Sequence, residues 1–195
     1  MTNMAKNNRN YTMRDDLQKS LNHSHIDPRQ LSTLQRILLT TDGTLTEILE
    51  AYLFEKIQVQ KLSQGLIILK DAIKPLNVKL GASIIEREIL LQGKVSRKNF
   101  IYAKSIIVPD RFDKRVQEEL EHSKKPVGQL WLEYKVETFK EIIDSGKQAA
   151  NELAVYFNIS EDDLILYRTY RVFSNKKPIM MITEKFPESF FTDNF

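Results

Sequence analysis

Two charged residues sit where strand periodicity leaves room only for apolar ones. Over residues 85–91, Ile85, Arg87, Ile89 and Leu91 alternate with Glu86 and Glu88. A strand therefore turns Arg87 to the same side as three aliphatic side chains. Over residues 180–186, Met180, Ile182, Glu184 and Phe186 share one face, with Thr183 and Lys185 on the other. The pattern predicts a cation and a carboxylate buried on apolar faces. An unpaired buried charge costs several kcal/mol, so each requires a partner. Two readings follow from periodicity: a structural Arg87–Glu184 bridge, or a polar ligand held by both.

The chain's 195 residues and 42% hydrophobic composition suit one domain with a sizeable core. The net charge of +3 comes from 29 basic and 26 acidic residues mixed along the chain, without the concentrated basic patch that nucleic-acid binding needs. Cysteine is absent, which excludes disulfides, thiolate zinc sites and a cysteine nucleophile and fits a cytoplasmic protein. No apolar run is long enough to span a bilayer and no signal-peptide core is visible, so a soluble protein with no membrane insertion is expected. The histidines are His23, His25 and His122. A His-x-His pair in a polar segment reads as solvated, and no metal site is expected.

Residues 1–27 are polar, rich in Asn, Lys and Arg, and read as an N-terminal arm without chemistry. Residues 28–195 carry the domain. Leu31, Leu34, Ile37 and Leu38 predict a helix over 28–39 that ends before Asp42-Gly43. Thr44-Leu45-Thr46-Glu47 has the spacing of a capping box and starts a second helix. Strand alternation runs over 56–68, broken at Gly65, and strands follow over 83–91 and 99–108. Helices are predicted over 110–122, briefly after Pro126, and over 147–157. Residues 132–143 read as strand, with a helical alternative for 138–142. An aromatic-rich strand over 164–173, a turn at 174–177 and a strand over 178–186 make a hairpin. This order predicts an α+β fold: a single domain with a mostly antiparallel sheet backed by helices.

Five segments stand in a recognisable order: I-L-L-T-T-D-G-T-L-T-E at 37–47, E-R-E-I-L-L at 86–91, F-I-Y-A-K-S-I-I-V-P at 100–109, K-K-P-V-G-Q-L at 124–130 and K-P-I-M-M-I-T-E-K-F-P at 177–187. Together they resemble the chorismate pyruvate-lyase (4-hydroxybenzoate synthase) family, over about residues 31–191. The resemblance implies an enclosed pocket in which pyruvate is eliminated from chorismate to leave 4-hydroxybenzoate. Aromatisation drives that reaction, so neither a metal nor an organic cofactor is implied. The protein must supply orientation, charge complementarity and exclusion of water.

The resemblance also implies site residues. Arg87 matches the family's clamp for the ring carboxylate, and a guanidinium fork suits two carboxylate oxygens. Glu184 matches the carboxylate that contacts the ring hydroxyl. Backbone amides at Leu45 and Val127 complete the set. Leu45 follows the candidate N-cap Thr44, where first-turn amides favour anions. Val127 lies between Pro126 and Gly128 in a turn that presents main-chain N–H groups. Valine replaces the commoner leucine of the family's P-L-G pattern, which an amide contact tolerates. The segment 103–109 is one residue longer than the family pattern, which leaves the facing of Tyr102 and Lys104 open. Tyr167, Tyr170 and Phe173 are core residues or cavity lining. A monomer or weak dimer is expected.

The rival reading is a non-catalytic domain that binds small aromatic acids, because effector domains of bacterial transcription regulators resemble the same fold. A sensor of that kind would carry a DNA-reading winged helix ahead of the first matching helix. About 27 polar residues stand there in this sequence. A third reading is a structural protein with an inert Arg87–Glu184 bridge.

Overall fold

The structure is a computed structural model that describes residues 26–122 and 133–192. The arm up to residue 25, Val127, Gly128 and the short helix expected after Pro126 lie outside the described residues. Six strands form one sheet: β1 (Ile57–Ile68), β2 (Ser83–Gly93), β3 (Asn99–Ile107), β4 (Phe139–Ala149), β5 (Leu164–Ser174) and β6 (Lys177–Pro187), in spatial order β1-β2-β3-β6-β5-β4. Every neighbouring pair is antiparallel. Two three-stranded meanders thus join edge to edge through β3 and β6. The β5–β6 hairpin closes through Asn175 and Lys176, both with positive φ (49° and 62°), as a two-residue turn matching strand twist requires.

The helices are α1 (Thr33–Thr40), α2 (Leu45–Leu53), α3 (Lys114–His122) and α4 (Ala154–Phe157). On one face of the sheet, Leu34, Leu38 and Leu39 of α1 and Leu45 and Leu49 of α2 pack on Leu91, Ile101, Leu166 and Phe186. Val116 of α3 covers Ile85, Ile107, Val172 and Met180 on the same face. α4 packs Ala154 and Phe157 against Leu90, Tyr102 and Ile165 on the other face. Arg87 and Glu184 lie between the first two clusters, where the described helices leave the sheet uncovered.

The capping box falls one helix earlier than expected. Ser32 caps α1: the Gln35 amide donates to Ser32 Oγ at 3.1 Å, and the Ser32 amide donates to Gln35 Oε1 at 2.9 Å. Thr44 precedes α2 in extended conformation but makes no side-chain cap bond. Its ψ is 118°, against 163° at Ser32.

Other boundaries shift for identifiable reasons. The helix predicted from residue 28 opens as a 3-10 turn, Pro28–Gln30, before Ser32 restarts it. Gly65 does not break β1: it pairs with Glu86, and the irregularity lies between Lys61 and Ser63. The helix predicted over 147–157 gives up its start to β4, because Lys147, Gln148 and Ala149 pair with Leu166, Ile165 and Leu164. Those backbone groups find partners across the ladder that a helix start would leave unmet. A 3-10 turn, Asn151–Leu153, and α4 remain. Pairing of Ile142 with Tyr170 likewise removes the helical alternative for 138–142.

Ser32→Ala should cost about 1 to 2 kcal/mol and lower the melting temperature by about 2 to 4 °C for each kcal/mol. Thr44→Ala should leave the thermal midpoint close to that of the parent. Calorimetry of the two variants side by side checks the assignment, which equal shifts would contradict.

Candidate active site

The pleat assembles the site in rows. Arg87 of β2 pairs with Ser105 of β3, Ser105 with Ile182 of β6, and Ile182 with Tyr170 of β5. The next row holds Ile89, Ala103, Glu184 and Arg168. The row on the other side ends in Met180, Val172 and Lys140 of β4. Arg87 and Glu184 therefore face the same way, two strands and two residues apart. Strand spacing and rise put their backbones roughly 12 Å from each other.

A cavity of about 260 Å³ sits over these rows, close to the lower end of small-molecule pockets. Arg87, Ser105, Lys140, Tyr170 and Glu184 line it from the sheet; Thr44 and Leu45, at the start of α2, line it from above. The remaining lining includes Ile89, Val172, Met180 and Ile182. The expected residues Arg87, Glu184, Thr44 and Leu45 are thus brought together. Leu45 is also buried in the core beside Leu49.

Arg87 is 2% exposed. Burial lowers its pKa from the usual arginine value, yet a guanidinium stays protonated. Glu184 has different partners from those expected. Arg168 Nε donates to Glu184 Oε2 at 2.7 Å, and the Tyr170 hydroxyl donates to Oε1 at 3.1 Å. Among the described residues the ion partner of Glu184 is Arg168, not Arg87. The bridge lies between adjacent strands of a hairpin, while Arg87 stands two strands away. Arg168 is itself 1% exposed, and its Nη1 donates to the Thr41 carbonyl at 2.6 Å. Burial, then the nearby Glu184 charge, hold the Tyr170 phenol well above its ordinary pKa, so it remains a donor.

Arg168 and Lys140 are the site residues that sequence reasoning missed. Arg168 carries the same signal as Arg87: Leu166, Arg168, Tyr170 and Val172 alternate with half-buried or polar neighbours. Lys140 had no such signal, because its segment read ambiguously as strand or helix. Its Nζ donates to the Gly43 carbonyl at 3.0 Å and lies 5.5 Å from the Tyr170 ring centroid. Burial lowers its pKa, and Glu184 partly offsets that.

Tyr102 and Lys104 point to the opposite face. Tyr102 stacks on Tyr156, and Lys104 pairs with Glu86 and Glu88 at 3.1 and 3.3 Å. Of the three candidate aromatic residues, Tyr170 lines the cavity. Tyr167 faces the other way, and Phe173 packs on Phe139 near the hairpin turn.

Residues 39–192 match the family described as "Chorismate pyruvate-lyase Rv2949c-like". The chain belongs to the chorismate pyruvate-lyase family. Relatives named chorismate pyruvate-lyase include one from Mycobacterium leprae, 32% identical over 169 residues, covering 85% of this chain and 79% of the relative. Another, from Mycobacterium tuberculosis H37Rv, is 30% identical over 179 residues and covers 85% of each. Among solved structures, PhnF from Mycobacterium smegmatis superposes with a TM-score of 0.61 at 11% identity, over 78% of this chain and 67% of that one. Its effector domain gives 0.60 at 11% identity, over 77% and 91%. These likenesses show the fold alone. No helix among the described residues is long and apolar enough to cross a membrane.

Arg168→Met should destabilise the protein by about 3 to 5 kcal/mol, because it strands a buried carboxylate. Adding Glu184→Gln should recover most of that loss. Denaturant unfolding of both variants measures the coupling, and a double variant no more stable than the single one would show that Arg168 acts elsewhere.

Proposed function

We propose that the protein eliminates pyruvate from chorismate to leave 4-hydroxybenzoate, with Arg87 and Glu184 as its principal substrate contacts. The observation that carries the reading is one cavity, in a chain of this family, with a buried guanidinium at one side and a buried carboxylate across from it. The ring carboxylate docks on Arg87, and amides of Leu45 and of Val127, in the Pro126-Val127-Gly128 turn, add donors. The hydroxyl para to it donates to Glu184. Arg168 and Tyr170 fix that carboxylate and keep its acceptor role constant. In the elimination the C4–H electron pair becomes the new ring double bond as the C3–O bond breaks. The ether oxygen becomes the carbonyl of pyruvate, whose methylene carbon takes up a proton. The pocket orients these atoms and excludes water.

Composition supports a cytoplasmic setting and no nucleic-acid partner. In this reading residues 28–195 act as one catalytic domain, as a monomer or weak dimer, and the polar arm over 1–27 takes no part. The likeness to regulator effector domains favours a second reading, a sensor of aromatic acids, which predicts binding without turnover.

Chorismate incubated with the pure protein in a chelator should give 4-hydroxybenzoate and pyruvate in equal amounts. Binding of 4-hydroxybenzoate without any pyruvate release would favour the sensor. Arg87→Ala should keep the fold and lower kcat/KM by on the order of 10²-fold or more, the loss of a charge-assisted pair.

A ligand that binds only the folded protein stabilises it by about 2.7 kcal/mol at a hundredfold excess over Kd. On that scale 4-hydroxybenzoate should raise the melting temperature more than benzoate, and Glu184→Gln should narrow the gap. Equal shifts with the two acids in the parent protein would remove the role given to Glu184.

A further inference from the structure

Chorismate is a dianion, and the contacts above hold one of its two carboxylates. The cations among the described cavity-lining residues are Arg87 and Lys140. We infer that Lys140 binds the enolpyruvyl carboxylate and keeps hold of it as the group departs as pyruvate. This rests on the lyase reading and extends it to the leaving group.

Placement carries the inference. Across the sheet, Arg87 stands on β2, Glu184 two strands further on β6, and Lys140 two strands beyond that on β4. Relative to the row that contains Arg87 and Tyr170, Glu184 lies one row to one side. Lys140, opposite Val172, lies one row to the other. On the substrate, the hydroxyl is para to the ring carboxylate and the ether is on the adjacent carbon, so the two substituents diverge at the end of the ring far from that carboxylate. With the carboxylate on Arg87 and the hydroxyl on Glu184, one of the two ways of seating the ring about the axis through those groups turns the ether side chain to the flank where Lys140 stands.

The surroundings of Lys140 suit an exchangeable anion contact. Its ammonium touches a carbonyl, Gly43 O, and lies over the Tyr170 ring. Asp42 also lines the cavity; Glu184 and Asp42 favour the charged form, while burial and the nearby Arg168 oppose it. The loop bearing Gly43 leads into α2, so Lys140 joins the helix start to the cavity floor. A lysine suits a departing carboxylate because its compact charge and rotatable donors follow a moving group.

Two measurements test this. In kinetics, Lys140→Met should raise KM for chorismate on the order of 10- to 100-fold, leave Kd for 4-hydroxybenzoate within about twofold, and be largely rescued by Lys140→Arg. An unchanged KM, or equal weakening of chorismate and 4-hydroxybenzoate, overturns the inference. Absence of pyruvate release by the parent protein instead overturns the lyase reading. The second measurement needs neither a variant nor turnover. In the parent protein, 3-(carboxymethoxy)-4-hydroxybenzoate should bind at least about tenfold more tightly than 3-ethoxy-4-hydroxybenzoate, since only the first carries the second carboxylate. Equal or weaker binding of the dianion would overturn the role of Lys140 even if Lys140→Met failed to fold.

Discussion

The Arg168–Glu184 pair is the contact on which the site depends. A carboxylate beneath a largely apolar cavity is tolerated only with a partner of opposite charge and with its remaining acceptors engaged, and Arg168 and Tyr170 meet both needs. The second arm of Arg168 reaches the Thr41 carbonyl, just before the loop that leads into α2. One guanidinium thus orients Glu184 from below and ties down the segment that brings Thr44 and Leu45 over the cavity. The β5–β6 hairpin and the N-terminal helices meet at that residue. Without it the carboxylate would be stranded and the cavity roof would lose a tether.

Much of this was legible in sequence, but unevenly. Alternation told correctly which residues of β2 and β6 share a face, because side-chain direction in a strand is a local property. It did not tell which strands are neighbours, so Arg87 and Glu184 were natural candidates for each other. The hairpin between residues 164 and 187 held the answer in disguised form. Counting straight down from the Asn175-Lys176 turn would set Tyr167 against Glu184. A register shift at Val172 and Phe173 skips Ile179 and puts Arg168 there instead. That one-residue bulge decides which side chain supports the carboxylate, and nothing in the local pattern marks it. The caps show the same limit: Ser32-x-x-Gln35 and Thr44-x-x-Glu47 look alike as strings, and only backbone angles fixed by packing separate them.

The fold is shared with the effector domain of PhnF at about one residue in nine, so it persists through nearly complete change of side chains. Two meanders joined at their edges, with the described helices leaving a gap over one face, make a scaffold that does not by itself set what happens there. What separates a lyase from a sensor must lie in how side chains over that gap treat the bonds that change.

On that criterion the residues of the cavity are not equivalent. The ring carboxylate and the ring hydroxyl are present in chorismate and in 4-hydroxybenzoate alike, so in the proposed binding mode contacts from Arg87 and Glu184 to those groups would hold substrate and product in similar ways. Uniform binding of that kind places the ring but does not by itself lower the barrier. Acceleration has to come from interactions with the parts that change, namely the C4–H bond and the enolpyruvyl ether with its carboxylate. In the proposed binding mode Arg87 and Glu184 contribute by fixing the ring. A cation at the enolpyruvyl carboxylate distinguishes chorismate from 4-hydroxybenzoate, and it accelerates the reaction only as far as it also stabilises the charge that develops on the ether oxygen as the C3–O bond lengthens. Lys140 is the cavity-lining cation proposed for that place.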